Sequence, residues 1–530
     1  MKKISDFFKG VEKWADSHKT GFALIVTLLF IASQVPFLIN HEVWNDEATS
    51  WQLSQEITPS NFYEINSAEP HPMLWQLVLA PFSKLGFPII TLNIISLIFV
   101  AAAVFFTVRY AKMSFFTKFV FFSSAAFFYF LPIISRSYSM IPLAVVLVCM
   151  AYEKRHEKPL LYGLSLAFLS QTHFLMYGLL IALAIGYVVE VIAKKDKKKI
   201  KTIAIFSLPL IISAVITAPL VINSMHNQAI LTGKAFETAP DTYEPFLPNV
   251  VLNFFGGYNV GLEIFFIVLL VVLAILFFIK NQKTFIYLVC GVGFWFFVMG
   301  NIYQNYGVLS QKVSLILLVV FAIVWLNSIE DTKKDNKIEK LLVHSEIIKF
   351  LHNKVTRNWY VVIAVIFALL TIFNTFPFAV DDLYKPFSNA KEVAEYINEE
   401  IEPGSVIVEG EPSLLTSAVM VYVKNDVTIY SVFLGRTKER IDNLKYDNET
   451  VDQNRETYNQ GVTAEEVGAL LEKLSEEYEH VYYLGIPPAC NAENPEIRTA
   501  IANTFEKIET FNTKQYLDII HARAALYKVK

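Results

Sequence analysis

The sequence is poor in charged residues and in cysteine. Charged residues make up 18% of the 530 residues, whereas soluble domains carry about 25%. The three cysteines, Cys149, Cys290 and Cys490, are far apart in the chain, so they predict neither a disulfide framework nor a thiolate metal cluster. No broad basic face for nucleic acid is present, and the formal net charge is −4. These absences exclude a soluble enzyme, a small secreted scaffold and a nucleic-acid partner.

Long apolar runs are abundant in the sequence. Hydrophobic residues account for 54% of the chain and aromatic residues for 14%, a composition typical of lipid-facing helices with interfacial aromatic belts. A helix needs about 20 apolar residues to cross the hydrocarbon core of a membrane. We predict about eleven spans on that basis, at 21–39, 88–108, 118–134, 137–152, 160–173, 174–192, 205–222, 261–279, 284–300, 308–327 and 359–378.

Basic residues indicate the orientation of these spans, because Lys and Arg mark cytoplasmic loops. The tail 1–20 has five Lys, the stretch 193–204 has six, and 328–358 has seven Lys or Arg. The first intervening loop, 40–71, has no Lys or Arg and six acids. The pattern predicts an α-helical polytopic membrane protein with its N-terminus inside and residues 379–530 outside.

Two parts of the chain depart from a simple row of spans. Residues 72–87 are predicted to form an interfacial or re-entrant helix, since a further span there would place the basic residues of 109–118 outside. From 379 onwards helical and extended patterns alternate, which predicts an extracytoplasmic α/β domain. The expected organisation is a cytoplasmic tail 1–20, a membrane domain 21–378 that carries the outer loop 40–72, and the C-terminal domain 379–530.

The first outer loop contains the strongest candidates for chemistry. Asp46 and Glu47 follow the first apolar span and lie between two tryptophans. A carboxylate at the mouth of a helical bundle can act as a general base or hold a divalent cation. Glu69 and His71, at the far end of the loop, add a second acid and an imidazole at the same surface. The alternative is an acidic loop that is merely solvated.

The second outer turn carries a cation where few others are found. Arg136 in Ser135-Arg136-Ser137-Tyr138 either anchors the interface or clamps a phosphate. Tyr138 shares this turn, and His173 and Lys312 lie near the outer ends of their predicted spans. Packing or anchoring is the alternative for each of them taken alone.

Taken together, these segments resemble the GT-C superfamily of multi-span glycosyltransferases. The likeness is greatest to the family that includes dolichyl-phosphate-mannose protein mannosyltransferases, bacterial aminoarabinose transferases and RgtA-to-D-type sugar transferases. It covers about residues 15–325, and the outer domain matches no family motif. Met73 departs from the family pattern, which usually has a second proline there. The likeness is carried by three motifs in order: Asp46-Glu47, Glu69-Pro70-His71-Pro72-Met73-Leu74 and Ser135-Arg136-Ser137-Tyr138.

The resemblance implies transfer of a sugar from a polyprenyl-phosphate donor to an acceptor on the outer face of the membrane. We expect Asp46 to accept the proton of the acceptor hydroxyl in a single displacement with inversion. Arg136, or less readily Lys312, would stabilise the departing phosphate, and Tyr138 is a further candidate for binding the donor phosphate. The candidates for binding the acceptor or a metal are Glu69, His71 and His173. The expected partners are the lipid-linked donor, membrane lipid and a cell-envelope glycan, lipid or protein acceptor, in a bacterial plasma membrane. The use of a divalent metal is left open.

Two other classes compete with this interpretation. The first is a polyprenyl-lipid or glycan transporter or flippase. Ion-coupled carriers usually place ionisable residues in mid-span, whereas the middles of the predicted spans carry none. The second is a membrane anchor with an outer binding domain, which does not explain why the acidic motif lies at the other end of the chain. The sequence favours a glycosyltransferase over both.

Overall fold

Helices dominate the part of the chain that the structure describes. The structure is a computed structural model that describes residues 14–15, 17–63, 71–124, 126–194, 198–232, 281–301, 310–330, 379–409, 418–431, 436–437, 464–485, 505–512 and 523–529. Its α-helices include Lys19–Asn40, Asn45–Glu56, Leu74–Lys84, Ile90–Tyr110, Phe115–Phe122, Ile141–Glu153, Pro159–Ser170, Tyr177–Ala193, Lys199–Thr232, Gln282–Asn301, Ser310–Ile329, Ala390–Glu400 and Ala464–Glu477. Its strands are β1 (Ser405–Glu409), β2 (Val427–Ser431), β3 (Arg436–Thr437), β4 (Val481–Gly485), β5 (Phe505–Asn512) and β6 (Arg523–Val529).

Several helices are long and apolar enough to cross a membrane. Five meet that description among the described residues: Lys19–Asn40, Ile90–Tyr110, Phe174–Ala193, Lys199–Leu220 and Gln282–Met299. The structure therefore supports a polytopic helical membrane protein. The predicted spans 261–279 and 359–378 lie outside the described residues, and the total of eleven with the N-terminus inside stays a prediction.

Two predicted apolar segments are interrupted or short. The run 118–134 is not one helix, because the α-helix Phe115–Phe122 is followed by a π-helical segment over Ala126–Phe130. The segment 72–87 contains the helix Leu74–Lys84 of 11 residues, far below the length that crosses a bilayer. Its length agrees with the predicted interfacial or re-entrant helix, whose position in a membrane stays a prediction.

The chain divides into two units, of which the first contains most of the long helices. It comprises Met1–Val35, Asn93–Thr217 and Thr238–Pro377. Glycines allow its helices to approach closely, as is common between helices in membranes. A Cβ on Gly163 would overlap the backbone of Phe206 on the neighbouring helix, and a Cβ on Gly186 would overlap the phenol of Tyr287. These contacts bring the helices Pro159–Ser170 and Tyr177–Ala193 against their partners.

The second unit is built around a mixed sheet. It comprises Pro36–Leu92, Ala218–Glu237 and Phe378–Lys530. The strand order is β3-β2-β1-β4-β6-β5, and β1 pairs in parallel with both β2 and β4. The pairs β2–β3, β4–β6 and β5–β6 are antiparallel.

Alternation along the strands gives this sheet two apolar faces. Val406 and Val408 face a core with Leu471 and Leu474, from the helix Ala464–Glu477. Ile407 of the same strand faces the opposite core, together with the helix Ala390–Glu400. Because successive strand residues point to opposite sides, β1 is buried on both faces.

The first loop contributes to one of these cores. Val43 and Ala48 belong to the same apolar cluster as Val393, Ile397 and Ile407. The loop and the C-terminal residues are thus parts of one unit, although the predicted domain boundary at 379 separates them. This packing fixes the loop segment on which the acidic motif lies.

Candidate functional site

The helix that carries the acidic motif, Asn45–Glu56, is capped by its own glutamate. The backbone N–H of Trp44 donates to Glu47 Oε2 at 3.2 Å, and the N–H groups of Glu47 and Ala48 donate to the carbonyl of Trp44. The first backbone donors of a helix have no partner within it, and an acidic side chain three residues into the helix satisfies one of them. Glu47 therefore fixes the start of this loop helix.

A buried histidine binds the same glutamate. The Nε2 atom of His41 lies 3.0 Å from Glu47 Oε2, and its Nδ1 lies 3.6 Å from a carboxylate oxygen of Asp382. All three side chains have no exposed surface. The ring of His41 also packs on Phe387, with the ring centres 4.7 Å apart. The structure thus joins the first loop to the C-terminal residues through a carboxylate–imidazole–carboxylate cluster.

The charges of this cluster determine its protonation. Burial by itself lowers the pKa of His41, but Glu47 and Asp382 more than offset that effect and raise the pKa to about 10. An opposite charge within a few ångströms favours the charged form of a histidine. His41 is accordingly an imidazolium at neutral pH, and two carboxylates share its single positive charge.

Asp46 occupies the turn that Glu47 caps. It is half-buried, whereas Glu47 is wholly buried. Trp44 and Trp51, which bracket the motif in the sequence, are both buried. Of the two predicted catalytic carboxylates, only Asp46 has exposed surface, so the geometry favours contact with a substrate for Asp46 and a structural role for Glu47.

The second motif of the loop leads into the helix Leu74–Lys84. His71 is buried just before that helix, and Glu69 lies outside the described residues. The Ser54 hydroxyl donates to the hydroxyl of Ser83 at 2.8 Å, which joins the helix Asn45–Glu56 to Leu74–Lys84. Both motif-bearing segments of the loop are therefore held in one unit.

The second outer turn lies in the other unit and is held by an asparagine. The side-chain amide of Asn93 donates to the carbonyl of Ile133 and to the hydroxyl of Ser135, both at 2.9 Å. Arg136 follows and precedes the 3-10 turn Ser137–Met140. Its backbone is extended there, so the predicted phosphate ligand lies in the non-helical link before that turn.

Three predicted residues come together at this turn. The guanidinium carbon of Arg136 lies 5.5 Å from the ring centre of Tyr138, within the range of a cation–π interaction. The Tyr138 ring packs on His173 with centres 4.5 Å apart. Tyr138 and His173 are buried, while Arg136 is half-buried. A partly exposed guanidinium supported by an aromatic ring is suited to binding a phosphate.

His173 has a second contact that limits its chemistry. Its Nδ1 accepts a hydrogen bond from the backbone N–H of Leu175 at 3.1 Å, so the ring caps the 3-10 turn Phe174–Met176. A ring nitrogen that accepts is unprotonated, which assigns the proton of a neutral ring to Nε2. This bond favours a positioning role for His173 beside Tyr138.

Lys312 lies in the first turn of the helix Ser310–Ile329. Its carbonyl accepts a hydrogen bond from the indole N–H of Trp295 at 2.9 Å, and its side chain is half-buried.

The described residues contain no group of three or more His, Cys, Asp or Glu side chains placed to hold a metal ion. Glu69, one of the predicted acceptor or metal ligands, lies outside the described residues.

Sequence reasoning missed His41, Asp382 and Asn93. His41 directly follows the first apolar span, and Asp382 lies in an acidic pair just after the predicted span 359–378. The recurrence of acids immediately after an apolar run was the available signal. The pairing of His41 with Asp382 had no local signal, since the two residues are far apart in the sequence.

Comparisons with known proteins bear on the fold. No family model matches the chain, and no curated protein sequence matches it. Among solved structures, the crystal structure of ArnT from Cupriavidus metallidurans in the apo state matches with a TM-score of 0.51 and 12% sequence identity, over 96% of this chain and 98% of that chain. The match extends over the membrane helices and the C-terminal residues alike. The chain therefore has the fold of ArnT, in agreement with the GT-C-like fold that its motifs predict.

Proposed function

We propose that this protein is a membrane glycosyltransferase that moves a sugar from a polyprenyl-phosphate donor to an acceptor on the outer face of the membrane. The observation that carries the proposal is the likeness to ArnT over 96% of the chain, together with the three ordered motifs that resemble the GT-C superfamily. The likeness in fold supports the enzyme class. The substrates and the residue roles below follow from the motifs and from the geometry of each site.

Asp46 is the proposed general base. The acceptor hydroxyl oxygen attacks the anomeric carbon of the donor sugar, its proton passes to the Asp46 carboxylate, and the bond from the anomeric carbon to the phosphate oxygen breaks. One displacement from the face opposite the leaving group inverts the anomeric centre. The half-buried position of Asp46 supports this role, because a base must reach its substrate.

Arg136 is the proposed phosphate ligand. The leaving group is a phosphate and already a weak base, so the reaction needs charge stabilisation rather than a general acid. A guanidinium offers two parallel N–H donors to a phosphate, and Tyr138 and His173 support the turn that presents it. Lys312 is the weaker candidate because a lysine offers a point charge only. Glu69 and His71 are proposed to orient the acceptor.

The test uses proteoliposomes that contain the wild type, Asp46→Asn or Glu56→Gln, each supplied with a panel of radiolabelled polyprenyl-phosphate sugars and a cell-envelope acceptor fraction. The loss of label from the donor lipid and its gain in the acceptor are measured. Removal of a general base lowers turnover by about 10²–10⁴-fold, whereas Glu56→Gln, at the other end of the same helix, retains full turnover. Near-normal transfer by Asp46→Asn contradicts the role of Asp46.

A failure of the wild type to consume any donor contradicts the enzyme class. In that case the same vesicles are assayed for movement of a fluorescent polyprenyl-phosphate lipid between leaflets. Movement of the lipid without cleavage would identify a transporter or flippase instead.

A further inference from the structure

The buried cluster of His41, Glu47 and Asp382 has no part in the proposed chemistry, yet it surrounds the start of the helix that carries Asp46. Glu47 Oε2 accepts from two donors at once, His41 Nε2 at 3.0 Å and the backbone N–H of Trp44 at 3.2 Å. Asp46 precedes Glu47 in the same turn. The Glu47 carboxylate therefore connects the buried His41 to the backbone turn that carries the proposed base.

The C-terminal residues hold the other side of the histidine. Asp382 is 2% exposed, and its carboxylate is 3.6 Å from His41 Nδ1. A buried carboxylate is costly unless a cation lies near it, and His41 supplies that cation. Neither acid can relax into solvent, so the imidazolium is held between them on both sides.

The segment between His41 and the helix is fixed independently. The backbone N–H of Val43 donates to the hydroxyl of Tyr422 at 2.9 Å, and its carbonyl accepts from the hydroxyl of Ser388 at 3.3 Å. Both partners belong to the C-terminal part of the same unit. Loss of the His41 contacts is therefore expected to shift the first turn of the helix without releasing the whole loop.

We infer that His41 is a positioning residue for the transfer reaction, holding Asp46 in place through Glu47, and that Asp382 holds His41. The inference rests on the proposed function, because it assigns Asp46 as the base. Turnover would then depend on the carboxylate of Asp382, which is far in sequence from all three motifs of the resemblance. Glu42, beside His41, faces Lys391, Glu392 and Glu395 and also interacts electrostatically with His41.

The chain offers a matched pair of variants for the test. The side chain of Asp382 is wholly buried against His41, whereas the adjacent Asp381 is partly exposed in an ion pair with Lys385 at 2.8 Å. Asp382→Asn removes the charge that holds the histidine, and Asp381→Asn makes the same chemical change one residue away. The turnover number and the Michaelis constant for the donor are measured in each, alone and combined with Asp46→Asn.

A displaced catalytic group costs about 10- to 100-fold in rate. We expect Asp382→Asn to lower turnover by that factor with an unchanged Michaelis constant, and Asp381→Asn to leave both unchanged. In the Asp46→Asn background, Asp382→Asn should have less than about a twofold further effect, because residues that act through one group are not additive. An equal loss in both backgrounds, or normal turnover in Asp382→Asn, overturns the inference.

A measurement that does not depend on turnover distinguishes this inference from the proposed function. Hydrogen exchange of the peptide 41–56 is measured in the full-length protein in detergent. Faster exchange in Asp382→Asn and in His41→Gln, but not in Asp381→Asn, supports the positioning contact even if no donor is found. Unchanged exchange overturns the positioning role while leaving the transfer reaction standing, and transfer that survives Asp46→Asn overturns the proposed base alone.

Discussion

The backbone N–H of Val43 donates to the hydroxyl of Tyr422 at 2.9 Å across 379 positions of sequence. This bond places the segment that precedes the acidic motif against the sheet-bearing C-terminal residues. A buried N–H without a partner costs about 1–3 kcal/mol, so the phenol is important for the stability of the unit. The relation can be tested through the thermal midpoint and through exchange of individual amides.

Tyr422→Phe should destabilise the unit by about 1–3 kcal/mol because it leaves the Val43 N–H unpaired. The measurement is thermal unfolding in detergent together with hydrogen exchange of the peptide 41–56. Tyr384, which is 82% exposed, provides the control, and Tyr384→Phe should change neither. Equal behaviour of the two variants would show that the hydroxyl of Tyr422 contributes nothing.

Stability should fall at alkaline pH through His41. Glu47 and Asp382 outweigh the effect of burial and raise the pKa of His41 to about 10, above its unfolded value of about 6.5. The stabilisation is fully present below the unfolded pKa and is lost as the pH rises through the folded one. The difference in thermal midpoint between wild type and His41→Gln should therefore shrink between about pH 7 and pH 10. A constant difference over that range would mean that His41 is not charged in the folded protein.

Glu42→Gln should stabilise the protein above neutral pH. Burial, only partly offset by Lys391 and His41, raises the pKa of Glu42 to about 7. A carboxyl with a raised folded pKa costs stability as the pH rises from its unfolded value to its folded one. The amide removes a cost of about 1–3 kcal/mol at pH 8 and changes little near pH 4.5. A gain of equal size at both pH values would trace to packing rather than to charge.

Arg136→Lys should impair the reaction although it keeps the positive charge. Lysine loses the planar donors and the stacking on Tyr138, and loss of a transition-state donor costs about 10²-fold in turnover. The measurement is steady-state transfer from the labelled donor. Arg109 also lies over a tyrosine, 4.8 Å from the ring centre of Tyr110, so Arg109→Lys is a matched control with normal transfer expected.

Gly163→Ala should loosen the helix packing of the first unit. Its new Cβ would overlap the backbone of Phe206, which has no flexible end to move aside. Overpacking of this kind costs about 1–3 kcal/mol. A Cβ on Gly293 would meet nothing within 4 Å, so Gly293→Ala should be neutral or stabilising. Equal thermal midpoints for the two variants would contradict the close contact.

Local patterns predicted the alternation of helices and strands after residue 379. The structure has the helices Ala390–Glu400 and Ala464–Glu477 and the strands β1, β2 and β4 there. Such predictions succeed because strand and helix periodicities are properties of neighbouring residues.

Long-range contacts could not be predicted from the sequence. Asp46, Arg136 and Tyr138 were identified because each lies in a short motif. The association of residues 36–92 with 378–530 depends on packing between Val43, Ala48 and the helix Ala390–Glu400, which no periodicity encodes. Glu47 is a catalytic candidate from its place beside Asp46 in the sequence, whereas its burial against His41 is known only from the structure.

The division of the second unit between distant stretches of chain has a consequence for how the protein is made. Ribosomes add residues one after another and domains fold as they are completed, so the loop with Asp46 emerges long before its supporting sheet. The strand β6 pairs between β4 and β5, so the sheet is complete only after residues 523–529 have been synthesised. Before residue 382 has been synthesised, His41 lacks its second carboxylate. A nascent chain shorter than this would carry Asp46 without all the contacts that hold the start of its helix.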